Sequence, residues 1–218
     1  VPVRADVSRE EEVVRMVHEA IDGLGGLDCY VNNAAWTWHE PITKLTTEAW
    51  RATLDTNLSA ALWATREVGK HMVPRKQGSM VIIGSTVRFF PAYCETAYRV
   101  SKMGLKMLME ELVIELAPHG IRVNMVTPGH FRTRMTASVP EDTERKLQDI
   151  IPLHRFGQPE EVGPAVALLL SDRLSPYTTG ADVVFSGTSG VNTSGGAISV
   201  TAGRDIVYGG SSQVNTSS

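Results

Sequence analysis

The stretch GSMVIIGSTVRFFPAYCETAYRVSK, residues 78–102, reads as a buried strand, a loop and the opening turns of a helix. Breaks at Pro74 and Gly78 followed by the apolar run 80–83 predict a strand over 79–83. Ser85 then stands at the strand's C-terminal end, where open α/β sheets bind ligands. Tyr98 and Lys102 are i and i+4, so on a helix they share one face about one turn apart. An ammonium beside a phenol stabilises the phenolate and lowers a pKa that is about 10 in isolation. A tyrosine tuned in this way exchanges a proton near neutral pH, as carbonyl reduction and alcohol oxidation require. Tyr93 has Ala97 four residues on and no lysine, which selects Tyr98.

Outward from this stretch, strands and helices alternate. Residues 1–7 read as a short strand ending at Asp6, and Ser8-x-x-Glu11 as a capping box that opens a helix. Val13, Val14, Val17, Ala20 and Ile21 form its apolar stripe, and Gly23, Gly25 and Gly26 stop it. A buried-type strand over 27–31 runs into Asn32-Asn33-Ala34-Ala35. Thr46 and Thr47 offer caps to a helix reaching about Met72, with Trp50, Leu54, Asn57, Ala61 and Thr65 on one face. Asn57 on such a face must find hydrogen-bond partners or cost a few kcal/mol. The helix that carries Lys102 continues through Leu105, Met109, Leu112 and Leu116 to Pro118 and Gly120. A strand over 121–126 leads into Thr127-Pro128-Gly129-His130-Phe131-Arg132-Thr133, and Pro159 suits the first turn of a last helix. This alternation predicts an α/β, doubly wound parallel sheet.

Composition narrows the function. The chain has 218 residues, 42% hydrophobic and 21% charged, which suits one domain with a sizeable core. A net charge of −3 leaves no basic footprint, so no nucleic-acid partner is expected. No apolar run approaches the roughly 18 residues of a membrane span, so neither a membrane segment nor a leader is expected. Cys29 and Cys94 lack ligand spacing, so no metal is expected, and two isolated cysteines fit a reducing cytoplasm. The composition shifts after Phe185, which divides the chain into 1–185 and a Gly/Ser/Thr/Asn-rich tail, 186–218, with Val-Asn-Thr-Ser at 191–194 and 214–217.

With Ser85, Tyr98, Lys102, Asn57, Asn32-Asn33-Ala34-Ala35, the Pro128-Gly129 string and Arg155-Phe156-Gly157-Gln158-Pro159-Glu160-Glu161, the chain resembles the short-chain dehydrogenase/reductase family. The resemblance runs over about residues 3–184 and lies near the 3-oxoacyl-(acyl-carrier-protein) reductase and glucose dehydrogenase group. It implies a Rossmann-like fold, NAD or NADP as cofactor, and a small-molecule substrate interconverted between secondary alcohol and ketone. Ser85 would hold the carbonyl oxygen, Tyr98 would be the general acid or base, and Lys102 would lower the tyrosine pKa and bind the nicotinamide ribose. Asn57 would hold a water linking the lysine to solvent; the alternative use is structural, bonding a strand backbone. Asp6 would bond the adenine with the Val7 backbone beside it, or be an ordinary strand-end turn. Asn33 would steady the central strand and line the cofactor site with Ala34, while Ala35 replaces the family's glycine. The Phe131 backbone and Thr133 hydroxyl would hold the nicotinamide carboxamide.

The segment 134–151 corresponds to the family's lid over substrate. Trp36, Trp38 and His39 line the substrate mouth or pack on the surface. Arg132, Arg134, His154 and Arg155 meet an acidic group or are solvated charge. Helices over 47–72 and 98–117 resemble the family's dimer-forming pair, which implies a homo-oligomer, dimer or tetramer. The family's phosphate-binding string Thr-Gly-x-x-x-Gly-x-Gly does not occur in these residues, so the sheet is expected to lack the family's first two strands and first helix. Ser186-Gly187-Thr188 stands where the family carries an acidic residue and two glycines. The alternative is a remnant without cofactor binding, serving at most as an interaction module.

Overall fold

Four apolar segments find one another side by side: β1 (Cys29–Asn32), β2 (Gly78–Ile83), β3 (Ile121–Thr127) and β4 (Asp182–Val184). They pair in the order β1-β2-β3-β4, every pair parallel, with Gly78 opposite Ile121 and Ile83 opposite Val126. The computed structural model describes residues 1–89, 93–137 and 139–185; the tail expected over 186–218 lies outside them. The helices are α1 (Glu10–Leu24), α2 (Thr47–Leu54), α3 (Ala60–Arg75), α4 (Thr96–Leu116), α5 (Glu141–Ile150) and α6 (Gly163–Leu170).

A parallel sheet must be covered on both faces, and here it is. Val13 and Val17 of α1, Ala64 and Val68 of α3 and Leu105 and Met109 of α4 pack with Met80, Ile82, Val123 and Met125. On the other face Ala165 and Leu169 of α6 pack with Val81, Val126 and Val183. Every residue of β3 is buried, which fits a strand with neighbours on both sides. Cys29 and Val31 of β1 are exposed, as befits the sheet's edge among the described residues, although the segment reads as a buried one.

Three local expectations are corrected. Residues 1–7 form no strand, because no other described strand lies beside them to share a ladder. The capping box at Ser8 does not form: the helix starts at Glu10, and the Ser8 N–H and hydroxyl both donate to the Asp6 carboxylate. The single helix expected from Thr47 is interrupted by a π turn over Asp55–Ser59, with Thr46 capping its first part through the Ala49 N–H. π turns of this kind collect at functional sites, and this one holds Asn57. Gly25, in the left-handed conformation at φ 70°, ends α1, whereas Gly23 lies inside the helix's last turn.

Leu105 is 1% exposed between α4 and the sheet. Leu105→Ala should lower unfolding free energy by about 2–5 kcal/mol, measured by urea denaturation, with the slope of the transition unchanged.

Candidate active site

β2 and β3 leave the sheet together, and this decides which side chains meet. The Gly84 N–H donates to the Val126 carbonyl at 2.8 Å and the Thr86 N–H to the Pro128 carbonyl at 3.0 Å. The chain after β2 is therefore held against the turn after β3. Residues Thr86–Arg88 form a 3-10 turn capped by Ser85, whose Oγ accepts from the Val87 N–H at 3.3 Å. Arg99 Nε donates to the Val87 carbonyl at 2.9 Å, tying the start of α4 to the same turn.

Tyr98 is thereby brought to Ser85, and Tyr93 is not: Tyr93 is 84% exposed. Burial holds the Tyr98 phenol above its ordinary pKa; hydrogen bonding with Ser85 opposes the rise, and the Glu95 carboxylate adds to it. The expected lowering by Lys102 is absent for a geometric reason. The Lys102 ammonium lies over the Tyr98 ring, 5.7 Å from its centroid, and donates to the Ile83 carbonyl at 3.0 Å. Lys102 is itself 3% exposed, and burial pushes its pKa down to about 8.

Asn57 is fully buried, and its amide is consumed by structure. Nδ2 donates to the Trp36 carbonyl at 2.8 Å and to Ser101 Oγ at 2.9 Å, while Oδ1 accepts from the Trp36 N–H at 2.6 Å. Both donors are taken, and Asn57 pins the loop after β1 beside α4; the backbone it bonds, at Trp36, belongs to that loop and not to a strand. Ser101, missed in the sequence, is the hinge of this network, since its hydroxyl also donates to the Tyr98 carbonyl at 2.7 Å. Its position, three residues after Tyr98, was the available signal.

The remaining predicted residues fall into two groups. Asn33 and Ala34 are exposed just past β1, and the buried amide of the pair is Asn32, which accepts from the Tyr30 hydroxyl at 3.1 Å. Asp6 is exposed in a turn closed by its own bonds to Ser8, which hold its carboxyl below the usual range, and Val7 packs on the core. Phe131 is buried and bridges to Gly157, whereas Thr133 is exposed. Thr136, missed in the sequence, links them: its hydroxyl donates to the Phe131 carbonyl at 2.7 Å and accepts from the Thr133 N–H at 2.9 Å. Beside this segment lies a cavity of about 630 Å³ lined by Arg132, Thr133, Thr136, Glu144 and Phe156 among others. Arg132 is paired with Glu144 of α5, and Arg155 with Glu161, so these charges serve the loop and helix ends. Trp36 and Trp38 are 49% and 43% exposed.

A family model described as enoyl-(acyl carrier protein) reductase matches residues 1–189. The 3-oxoacyl-(acyl-carrier-protein) reductase of Thermotoga maritima is 33% identical over 186 residues, covering 85% of this chain and 75% of that protein. Acetoacetyl-CoA reductase of Synechocystis is 37% identical over 178 residues, covering 82% and 74%. A solved structure described as a short-chain alcohol dehydrogenase from Sinorhizobium meliloti 1021 superposes with a TM-score of 0.81 at 33% identity, covering 84% of this chain and 73% of that one. The chain belongs to the short-chain dehydrogenase/reductase family. It is an enzyme of that family by ancestry, and its sheet is the Rossmann-like sheet of those oxidoreductases. Among the described residues no helix is long and apolar enough to cross a membrane.

One observation bears on whether a nicotinamide cofactor of this family suits the residues present. The buried Lys102 ammonium has three donors and, among the described residues, one hydrogen-bond acceptor, the Ile83 carbonyl. A buried donor left short of partners fits a hydroxyl-bearing ligand.

The unfolded lysine keeps its proton to about pH 10.5 and the folded one to about 8, so the unfolded state binds more protons between those values. Stability should therefore rise with pH through that window. Lys102→Met should be more stable than the parent at pH 7, by up to about 3 kcal/mol, and the gap should close towards pH 10 in denaturant titrations.

Proposed function

We propose that the chain is an NAD(P)-dependent oxidoreductase that interconverts a secondary alcohol and a ketone, with Ser85, Tyr98, Lys102 and Asn57 as its working residues. The observation that carries this is the half-buried Tyr98 hydrogen-bonding with Ser85 past the end of β2, with the Lys102 ammonium 5.7 Å from the phenol ring's centroid. When bound, NAD or NADP supplies or accepts the hydride at the substrate carbon.

The chain's own residues do the rest. Ser85 Oγ holds the carbonyl oxygen, and the Tyr98 hydroxyl delivers a proton to that oxygen so that no free alkoxide forms. In reduction the phenol gives its proton and in oxidation the phenolate takes it back; burial raises the phenol's pKa, so the role needs positive charge brought closer to it. Lys102 would bind the nicotinamide ribose with its spare donors and, so fixed, bring positive charge to the phenol. Asn57 would serve the proton path through the loop backbone it fastens at Trp36. Phe131, through its backbone, and Thr133, through its exposed hydroxyl, would hold the nicotinamide carboxamide. Asn33 and Ala34 would line the cofactor site, with Asp6 and Val7 at the adenine. Leu62 of α3 and Val100, Met103, Met107 and Ile114 of α4 are exposed apolar side chains, which supports a second copy of the chain as partner.

Tyr98→Phe removes the proton donor while keeping the ring that Lys102 packs against. Turnover of small ketones with NADH or NADPH should fall by about four orders of magnitude or more, the upper range for a positioned acid, with thermal stability little changed. Near-parental rates in that variant would remove Tyr98 from the chemistry.

A further inference from the structure

The turn that carries Ser85 ends in a buried charge pair that the proposed chemistry does not use. The side chain of Arg88 is 4% exposed and that of Asp182, the first residue of β4, is 9% exposed. Arg88 Nη2 donates to Asp182 Oδ2, and Nη1 approaches Met125 Sδ at 3.0 Å. The guanidinium also lies 4.5 Å from the centroid of the Phe89 ring. The second carboxylate oxygen accepts from Thr127 Oγ1 at 2.6 Å. Gly84 leaves the space: a Cβ there would stand 2.8 Å from Thr127 Oγ1 and 3.0 Å from Met125 Sδ, two atoms of the same network.

A buried ion pair is a poor source of stability, because desolvating both charges offsets their attraction. Apolar residues of similar volume commonly serve as well. What such a pair can supply is a single register. Among the described residues the turn is fastened by the Thr86 N–H on the Pro128 carbonyl, the Val87 carbonyl on Arg99, and Arg88 on Asp182. The first two reach the loop after β3 and the start of α4. The third reaches β4.

We propose that Arg88 and Asp182 are positioning residues for Ser85, a buried clamp that fixes the turn against β4 so that Ser85 Oγ faces the Tyr98 hydroxyl. This rests on Ser85 and Tyr98 being the reacting pair. The clamp touches neither substrate nor cofactor and acts through the turn.

The test replaces both charges together, Arg88→Met with Asp182→Leu, so that neither is stranded. Amide hydrogen exchange needs no turnover and reads the turn directly. Protection at Thr86, Val87 and Phe89 should fall about tenfold or more while Val81, Ile82 and Val123 keep theirs. Unchanged protection in the turn would overturn the clamp. Turnover is then compared with and without Ser85→Ala. The double variant should lose about ten- to a hundredfold in kcat with KM little changed, and lose nothing further in the Ser85→Ala background. Equal losses in both backgrounds would make the pair merely structural and overturn the proposal. If the parent chain gives no turnover, the catalytic reading fails by itself and the exchange result still decides the clamp. Should the double variant not fold, Arg88→Lys, which keeps the charge and loses the planar fork, is put through the same measurements with the same expected directions.

Discussion

Six residues of β2 pair in parallel with six of β3, from Gly78 with Ile121 to Ile83 with Val126, so that the two strands finish side by side. Pairing of this kind buries both faces, and the cover comes from Leu105 and Met109 on one side and Leu169 on the other. Because α4 must lay Leu105 and Met109 on the sheet, its first turns project past the strand ends. Tyr98 and Lys102 occupy those turns. The loop after β2 is held to the loop after β3, and Ser85, capping the turn there, hydrogen-bonds with Tyr98. The site is thus a consequence of strand register and helix packing.

Burial then sets the charges. The same loss of solvent raises the phenol of Tyr98 and lowers the ammonium of Lys102, so both groups are pushed towards their neutral forms. Ser85 works against the first of these shifts through its hydrogen bond. Two displaced ionisable groups side by side at the open end of a parallel sheet are the pattern that the proposed chemistry calls for.

The strand that ends before Ser85 and the helix that carries Tyr98 and Lys102 were legible because their signals are local: an apolar run between breakers, then a pair at helical spacing. The parallel sheet followed from alternation alone. What was not legible depends on distant partners. Residues 1–7 have the composition of a strand, but a strand exists only beside a neighbour. Asn57 was read as a polar residue needing partners; that Trp36 and Ser101 take both its donors, and that a π turn presents it, is tertiary information. The direction of the Tyr98 shift was misjudged for a related reason. Spacing put Lys102 near the phenol, but only the fold reveals that the ammonium lies over the ring and bonds Ile83. Arg88 and Asp182 are far apart in the chain, and no short-range pattern joins them.

Everything claimed for the site turns on a nicotinamide cofactor lying against Tyr98 and Lys102, and equilibrium binding tests that before any substrate is known. The direct measurement is a fluorescence titration of the purified chain with NADH and then NADPH. Saturable binding in the micromolar range, weakened in a Lys102→Met variant, is the result expected of a chain that holds the cofactor as proposed. No binding at millimolar cofactor would contradict it, and would leave Ser85, Tyr98 and Lys102 as inherited chemistry in a module with another use.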